Sequence, residues 1–197
     1  MYRVTAMCME ACVALVILAP VFLVLDRRYV HNGNRTLCYL AFAFYLAAVD
    51  AVVGLPCVRY IRFDANINLK PFAYMFSDYQ TSFLNVVLFV PLGVFLPVLW
   101  EAFRKFHWTV LFGFCLSLVI EVLQLFTFRA TDVNDLMTNT AGTILGWCIA
   151  RLLLWRIPGI RPQNNTKDVF LVCGITFAVL FFVQPFLADL AWSLLSH

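Results

Sequence analysis

Long apolar runs separated by short polar breaks organise the chain. Six of these runs approach the roughly 20 residues that a helix needs to cross a bilayer core of about 30 Å. They are Ala6 to Leu25, Leu37 to Leu55, Phe83 to Trp100, Trp108 to Phe128, Leu136 to Trp155, and Val169 to Leu195. The first has the length of a signal peptide. It lacks a small-residue cleavage site, and Asp26-Arg27-Arg28 follows it as a stop-transfer flank, so it reads as a helix. The last contains Gln184-Pro185, which predicts a kink or partial insertion. The pattern predicts an all-α membrane protein: a compact bundle of about five to six transmembrane helices, one polytopic domain over residues 1–197, with one longer interfacial loop on the outer side.

Composition agrees. Hydrophobic residues make up 63% of the chain and charged ones 13%, with a mean hydropathy of +0.86. A soluble domain lies nearer 45–50% and about 25%. The net charge of +3 gives no support to a nucleic-acid partner, and no stretch is polar enough for a second, soluble domain. The seven cysteines form no CxxC pair and sit mostly in apolar runs, where they read as small apolar fillers.

Positive charge near span ends sets orientation. With the N-terminus outside, the inner loops hold nine basic residues (Arg27, Arg28, Arg35, Arg104, Lys105, Arg151, Arg156, Arg161 and Lys167) and the outer side holds five (Arg3, Arg59, Arg62, Lys70 and Arg129). The expectation is therefore a multi-pass plasma-membrane protein with an outer N-terminus. On that orientation Glu10, Asp50, Glu121 and Asp189 lie within spans toward the outer end. Carboxylates at membrane depth mark a functional site or a satisfied internal pair. The connection from Pro56 to Ser82 carries Arg59, Arg62, Asp64, Asn66, Asn68, Lys70 and Asp78 among aromatics. It reads as an ordered interfacial or re-entrant loop, with Tyr60, Phe63, Phe72, Tyr74, Phe76 and Tyr79 at headgroup level.

Three motifs hold the polar residues of the central spans. In Asn85-x-x-x-Phe89-x-Pro91-x-Gly93, Asn85, Phe89 and Gly93 share a helix face, and Pro91 predicts a kink or local unwinding. In Ser117-x-x-x-Glu121-x-x-Gln124, followed by Arg129, the carboxylate needs a cation, a donor or a proton. In Asp132-Val-Asn134-Asp135-x-x-x-Asn139-x-x-Gly142-x-x-x-Gly146, Asp132 is an N-cap candidate and Asp135 suits the first turn. Gly142 and Gly146 would admit a close neighbouring helix. Each motif also reads as helix packing or capping alone. Together they place Asn85, Glu121, Gln124, Arg129, Asp132, Asp135 and Asn139 near one end of spans three to five, as candidate binding residues.

In these residues the chain resembles the VanZ family of bacterial membrane proteins. The order and spacing of Asn85, Phe89, Pro91 and Gly93, of Glu121, Gln124 and Arg129, and of Asp132, Asp135, Asn139, Gly142 and Gly146 match its pattern over about residues 66–155. The resemblance implies a bacterial plasma-membrane protein acting at the cell envelope, in a family named for lowered susceptibility to teicoplanin-type lipoglycopeptides. It implies no reaction.

Three functions fit these observations. The first is an envelope factor, not an enzyme, that binds an amphiphile at the outer leaflet: a membrane lipid, a lipid-linked cell-wall precursor or a lipoglycopeptide. The second is a membrane enzyme acting on a lipid head group, with Glu121, Asp132 and Asp135 as candidate acid–base groups or ligands of Mg²⁺ or Ca²⁺. No His lies near them, and there is no GxSxG or HExxH motif. The third is a small-molecule transporter, disfavoured by the lack of an internal repeat. No cofactor or resident metal is expected.

Overall fold

The structure, a computed structural model, describes residues 2–64, 66–72, 79–127, 129–157 and 159–195. Tyr74, Phe76 and Asp78 of the long connection lie outside the described residues. The chain divides into two compact units, Met1–Ile61 with Asp168–His197, and Arg62–Lys167. It is an all-α membrane protein. Among the described residues, four helical stretches are long and apolar enough to span a bilayer, and a bent helix pair, taken as one span, brings the number to five. Large apolar side chains such as Val16, Leu23, Phe83, Leu118, Phe170 and Leu194 stand exposed on their helices. In a bilayer these surfaces face lipid.

In the first unit, helix α1 (Tyr2–Leu25) continues into a π-helical turn, Asp26–Val30. His31 then takes a left-handed conformation with φ 50°, and Asn32 caps α2 (Gly33–Val53) by accepting from the Arg35 N–H. The segment read as a stop-transfer flank is thus a tight helix-to-helix turn. Asp26 Oδ1 fastens it, accepting from Asn32 N at 2.9 Å and Thr36 Oγ1 at 2.6 Å. Gly54 closes α2 at φ 71°, a conformation that glycine adopts without steric cost. Tyr39 of α2 donates to Asp168 at 2.8 Å, tying α2 to the start of α6 (Lys167–Phe182). The chain then bends by 47° into α7 (Gln184–Leu195). The predicted kink therefore lies at Val183–Pro185, where Pro185 occupies the first turn of α7 and sacrifices no intrahelical bond.

The second unit holds strand β1 (Ile67–Asn68), α3 (Tyr79–Leu99), α4 (Phe106–Gln124), strand β2 (Thr131–Asp132) and α5 (Val133–Arg156). A 3₁₀ turn, Glu101–Arg104, joins α3 to α4. Helix α3 runs unbroken through Pro91 and Pro97, so Pro91 causes no unwinding. Helix α5 has the length of a span at 24 residues, yet it is not apolar enough to count among those identified by composition. The reason is a buried polar stripe, Asn134, Thr138, Asn139 and Thr143, that faces protein rather than lipid.

Glycine contacts fix the packing of this unit. A Cβ on Gly93 would collide with the backbone of Thr143 and come within 2.9 Å of the Gly146 Cα. One on Gly142 would strike the Val86 carbonyl, and one on Gly146 the Val90 carbonyl. Val86 meets Gly142 and Val90 meets Gly146, so α3 and α5 run parallel with their backbones in contact. On the other side of α5, a Cβ on Gly113 of α4 would collide with the Thr143 side chain. Ser117 of α4 contacts Asn139, which makes α4 antiparallel to α5. The N-terminal ends of α3 and α5 and the C-terminal end of α4 therefore share one end of the unit.

Candidate functional site

At that end the turn between α4 and α5 is fastened by hydrogen bonds. Thr131 and Asp132 pair in parallel register with Ile67 and Asn68, so the long connection returns to the helix ends as a two-residue strand. Arg62 N donates to Phe126 O at 3.1 Å, and Asp64 N to Leu125 O at 2.8 Å. Asp132 caps α5: its Oδ1 accepts from Asn134 N at 2.8 Å, as the sequence suggests for an N-cap. Its Oδ2 accepts from Asn68 Nδ2 at 3.0 Å. Asn134, 4% exposed, accepts from the Phe72 N–H at 2.7 Å and donates to Asp132 Oδ1 at 2.9 Å.

Glu121 is 4% exposed and belongs to this arrangement. Its Oε2 accepts from Asp132 N at 2.9 Å, and its backbone carbonyl accepts from Thr131 Oγ1 at 2.9 Å. The carboxylate is thus tied to the backbone of the α5 cap rather than to Arg129. The Asp132 and Asp135 carboxylates both lie within electrostatic reach of Glu121. One turn deeper, Asn139 Nδ2 donates to Ser117 Oγ at 2.9 Å, and Thr143 Oγ1 donates to Asn139 O at 3.1 Å. A polar column runs from the helix ends toward the middle of the unit.

Not every polar group is satisfied. Gln124 Oε1 and Asn139 Oδ1 are buried and have no hydrogen-bond partner. Arg129 is exposed in the turn after α4. Its backbone N–H bonds Thr127 Oγ1 at 3.2 Å, and its guanidinium has no partner among the described residues. Asn85, half-buried on α3, also lacks a side-chain partner among the described residues. It sits next to Val86, whose carbonyl meets Gly142.

The structure therefore brings together Glu121, Asp132, Asp135 and Asn139, and puts Gln124, Arg129 and Asn85 at the same end. Asn68, Ser117, Thr131 and Asn134 complete the network. Ser117 and Asn134 lay inside the motifs, whereas Asn68 belonged to a loop where asparagines are common and gave no contrast. Among the described residues, no group of three or more Asp, Glu, His or Cys side chains is arranged to hold a metal ion.

The three motifs hold both the α3–α5 contact and this polar end, and they fall within the stretch, residues 36–155, that matches the VanZ/LLP1 family model. The chain belongs to the VanZ/LLP1 family. The match starts earlier than the motif region, already within α2. Protein VanZ of Enterococcus faecium is 32% identical over 122 residues, which cover 60% of this chain and 70% of that protein. No solved structure matches.

Proposed function

We propose that this VanZ-family protein acts at the outer face of the bacterial plasma membrane, where it binds an amphiphile and lowers susceptibility to teicoplanin-type lipoglycopeptides. The observation that carries this reading is a polar end that is built but not saturated. Arg129 has no carboxylate partner among the described residues, and two buried acceptors, Gln124 Oε1 and Asn139 Oδ1, have no donor. An exposed guanidinium suits a phosphate or carboxylate on a lipid-linked precursor or an antibiotic. The unfilled acceptors suit hydroxyl or amide N–H groups. The 32% identity to Protein VanZ supports the same reading. Orientation rests on the excess of basic residues in the loops at the opposite end.

Expression in a teicoplanin-susceptible Gram-positive host tests it. The expected result is a several-fold rise in the inhibitory concentration, which Arg129→Ala abolishes, together with a lipid or antibiotic that co-purifies with the wild-type chain. Unchanged susceptibility with no bound amphiphile overturns the reading.

The proximity of Glu121, Asp132 and Asp135 favours a second reading, acid–base chemistry on a lipid head group. Glu121 and Asp132 both accept hydrogen bonds that hold the turn, and Asp135 is the carboxylate whose substitution tests this reading. If Asp135→Asn keeps the full phenotype, this reading fails.

A further inference from the structure

The first unit contains a cavity of about 230 Å³ that the VanZ motifs do not touch. That is room for roughly seven waters at about 30 Å³ each. Glu10 of α1, Asp50 of α2 and Asp189 of α7 line it, with Gln184, Tyr60 and Trp192. Among the described residues, no basic side chain lines it. Glu10 and Asp50 lie within electrostatic reach of each other, on two helices apolar enough to span the bilayer. Two neighbouring carboxylates in such surroundings are stabilised by a shared proton or by a cation, and a cation lets both stay ionised.

Gln184 independently indicates what that charge carries. It is 7% exposed and uses its Nε2 to donate to the Glu10 carbonyl at 3.3 Å. Its Oε1 has no partner among the described residues, so this largely buried side chain offers the cavity an open acceptor. At the rim the chain already satisfies a similar acid with one of its own cations. Arg59 pairs with Asp189, and its guanidinium lies 5.4 Å from the Phe186 ring and 6.0 Å from the Tyr60 ring. Carboxylate plus aromatic faces is the chemistry that holds organic cations. Among the described residues, the carboxylates of this lining form no group of three arranged to hold a metal ion.

We infer that this cavity binds the ammonium end of a small amine, with Glu10 and Asp50 as counter-ions and Gln184 as an additional acceptor. The amine comes either from solution or from an aminolipid head group. The test is calorimetric titration of the full chain with n-butylammonium, in nanodiscs of phosphatidylglycerol alone and in nanodiscs that also contain phosphatidylethanolamine. Saturable binding is expected in the first, weakened at least tenfold in the Glu10→Gln/Asp50→Asn double variant and several-fold in Gln184→Leu. Ala51→Phe fills the cavity while keeping both carboxylates, and it should abolish binding as well. A several-fold loss of apparent affinity with phosphatidylethanolamine present identifies the lipid as the occupant, and an unchanged affinity identifies a soluble amine. Absence of saturable binding in phosphatidylglycerol discs overturns the inference. So does equal affinity in the double variant or in Ala51→Phe, or displacement by n-butanol at equal concentration.

Discussion

Glu121 holds the cap of α5 through one carboxylate oxygen, and a glutamine at that position still offers an acceptor to Asp132 N. Glu121→Gln should therefore unfold within about 2 °C of the wild type. Glu121→Ala leaves that N–H without its partner, at a cost of about 1–3 kcal/mol. For a chain of this size a loss near 2 kcal/mol lowers the thermal midpoint by roughly 4–8 °C. Thermal unfolding in detergent, followed by circular dichroism, separates the two variants. Asn134→Ala should be as damaging as Glu121→Ala, because Asn134 holds both Phe72 N and Asp132. Glu121, Gln124 and Asn139 were legible in the sequence because a polar residue contrasts with an apolar span. Asn68 was not legible, because its role comes from pairing with Asp132 across 64 residues of chain. Pattern alone also left open whether Glu121 met Arg129 or something else. The answer, a backbone N–H, carries no sequence signature.

The seam between α3 and α5 is the defining contact at the scale of elements. Gly93, Gly142 and Gly146 each face a backbone carbonyl of the opposite helix, so any side chain there forces the helices apart. Inserting bulk into a close-packed contact typically costs about 1–3 kcal/mol, and more where the obstacle is backbone. Gly93→Val and Gly146→Val should each lower the thermal midpoint by roughly 10 °C, or prevent accumulation of folded protein. Gly174 in α6 is the control: nothing lies within 4 Å of an added Cβ, so Gly174→Ala should be neutral or stabilising by up to about 1 kcal/mol. The spacing of Gly142 and Gly146 announced a close helix contact. The identity of the partner was hidden, because α4 separates the two helices in the chain. Pro91 does not unwind the helix: a missing N–H costs a helix one bond, and α3 continues through it.

Hydropathy made the membrane class legible across the whole molecule, since a bilayer rewards apolar length whatever the order of residues. A count based on apolarity leaves out α5, because its buried polar stripe faces protein rather than lipid. On the proposed orientation, Arg129→Cys in a chain freed of its native cysteines should react with an impermeant maleimide added to intact cells. Arg161→Cys should react only after permeabilisation, and the reverse pattern would invert the topology. The glycine seam has a further consequence for biosynthesis. Helix α3 leaves the ribosome well before α5, which ends at Arg156, so its cleft waits in the lipid until α5 is delivered. A nascent chain halted before Gly146 carries an open, backbone-lined groove, the kind of lesion that membrane proteases and chaperones recognise. Truncations short of that residue should therefore turn over quickly, and the half-life should rise in one step once the second glycine is inserted.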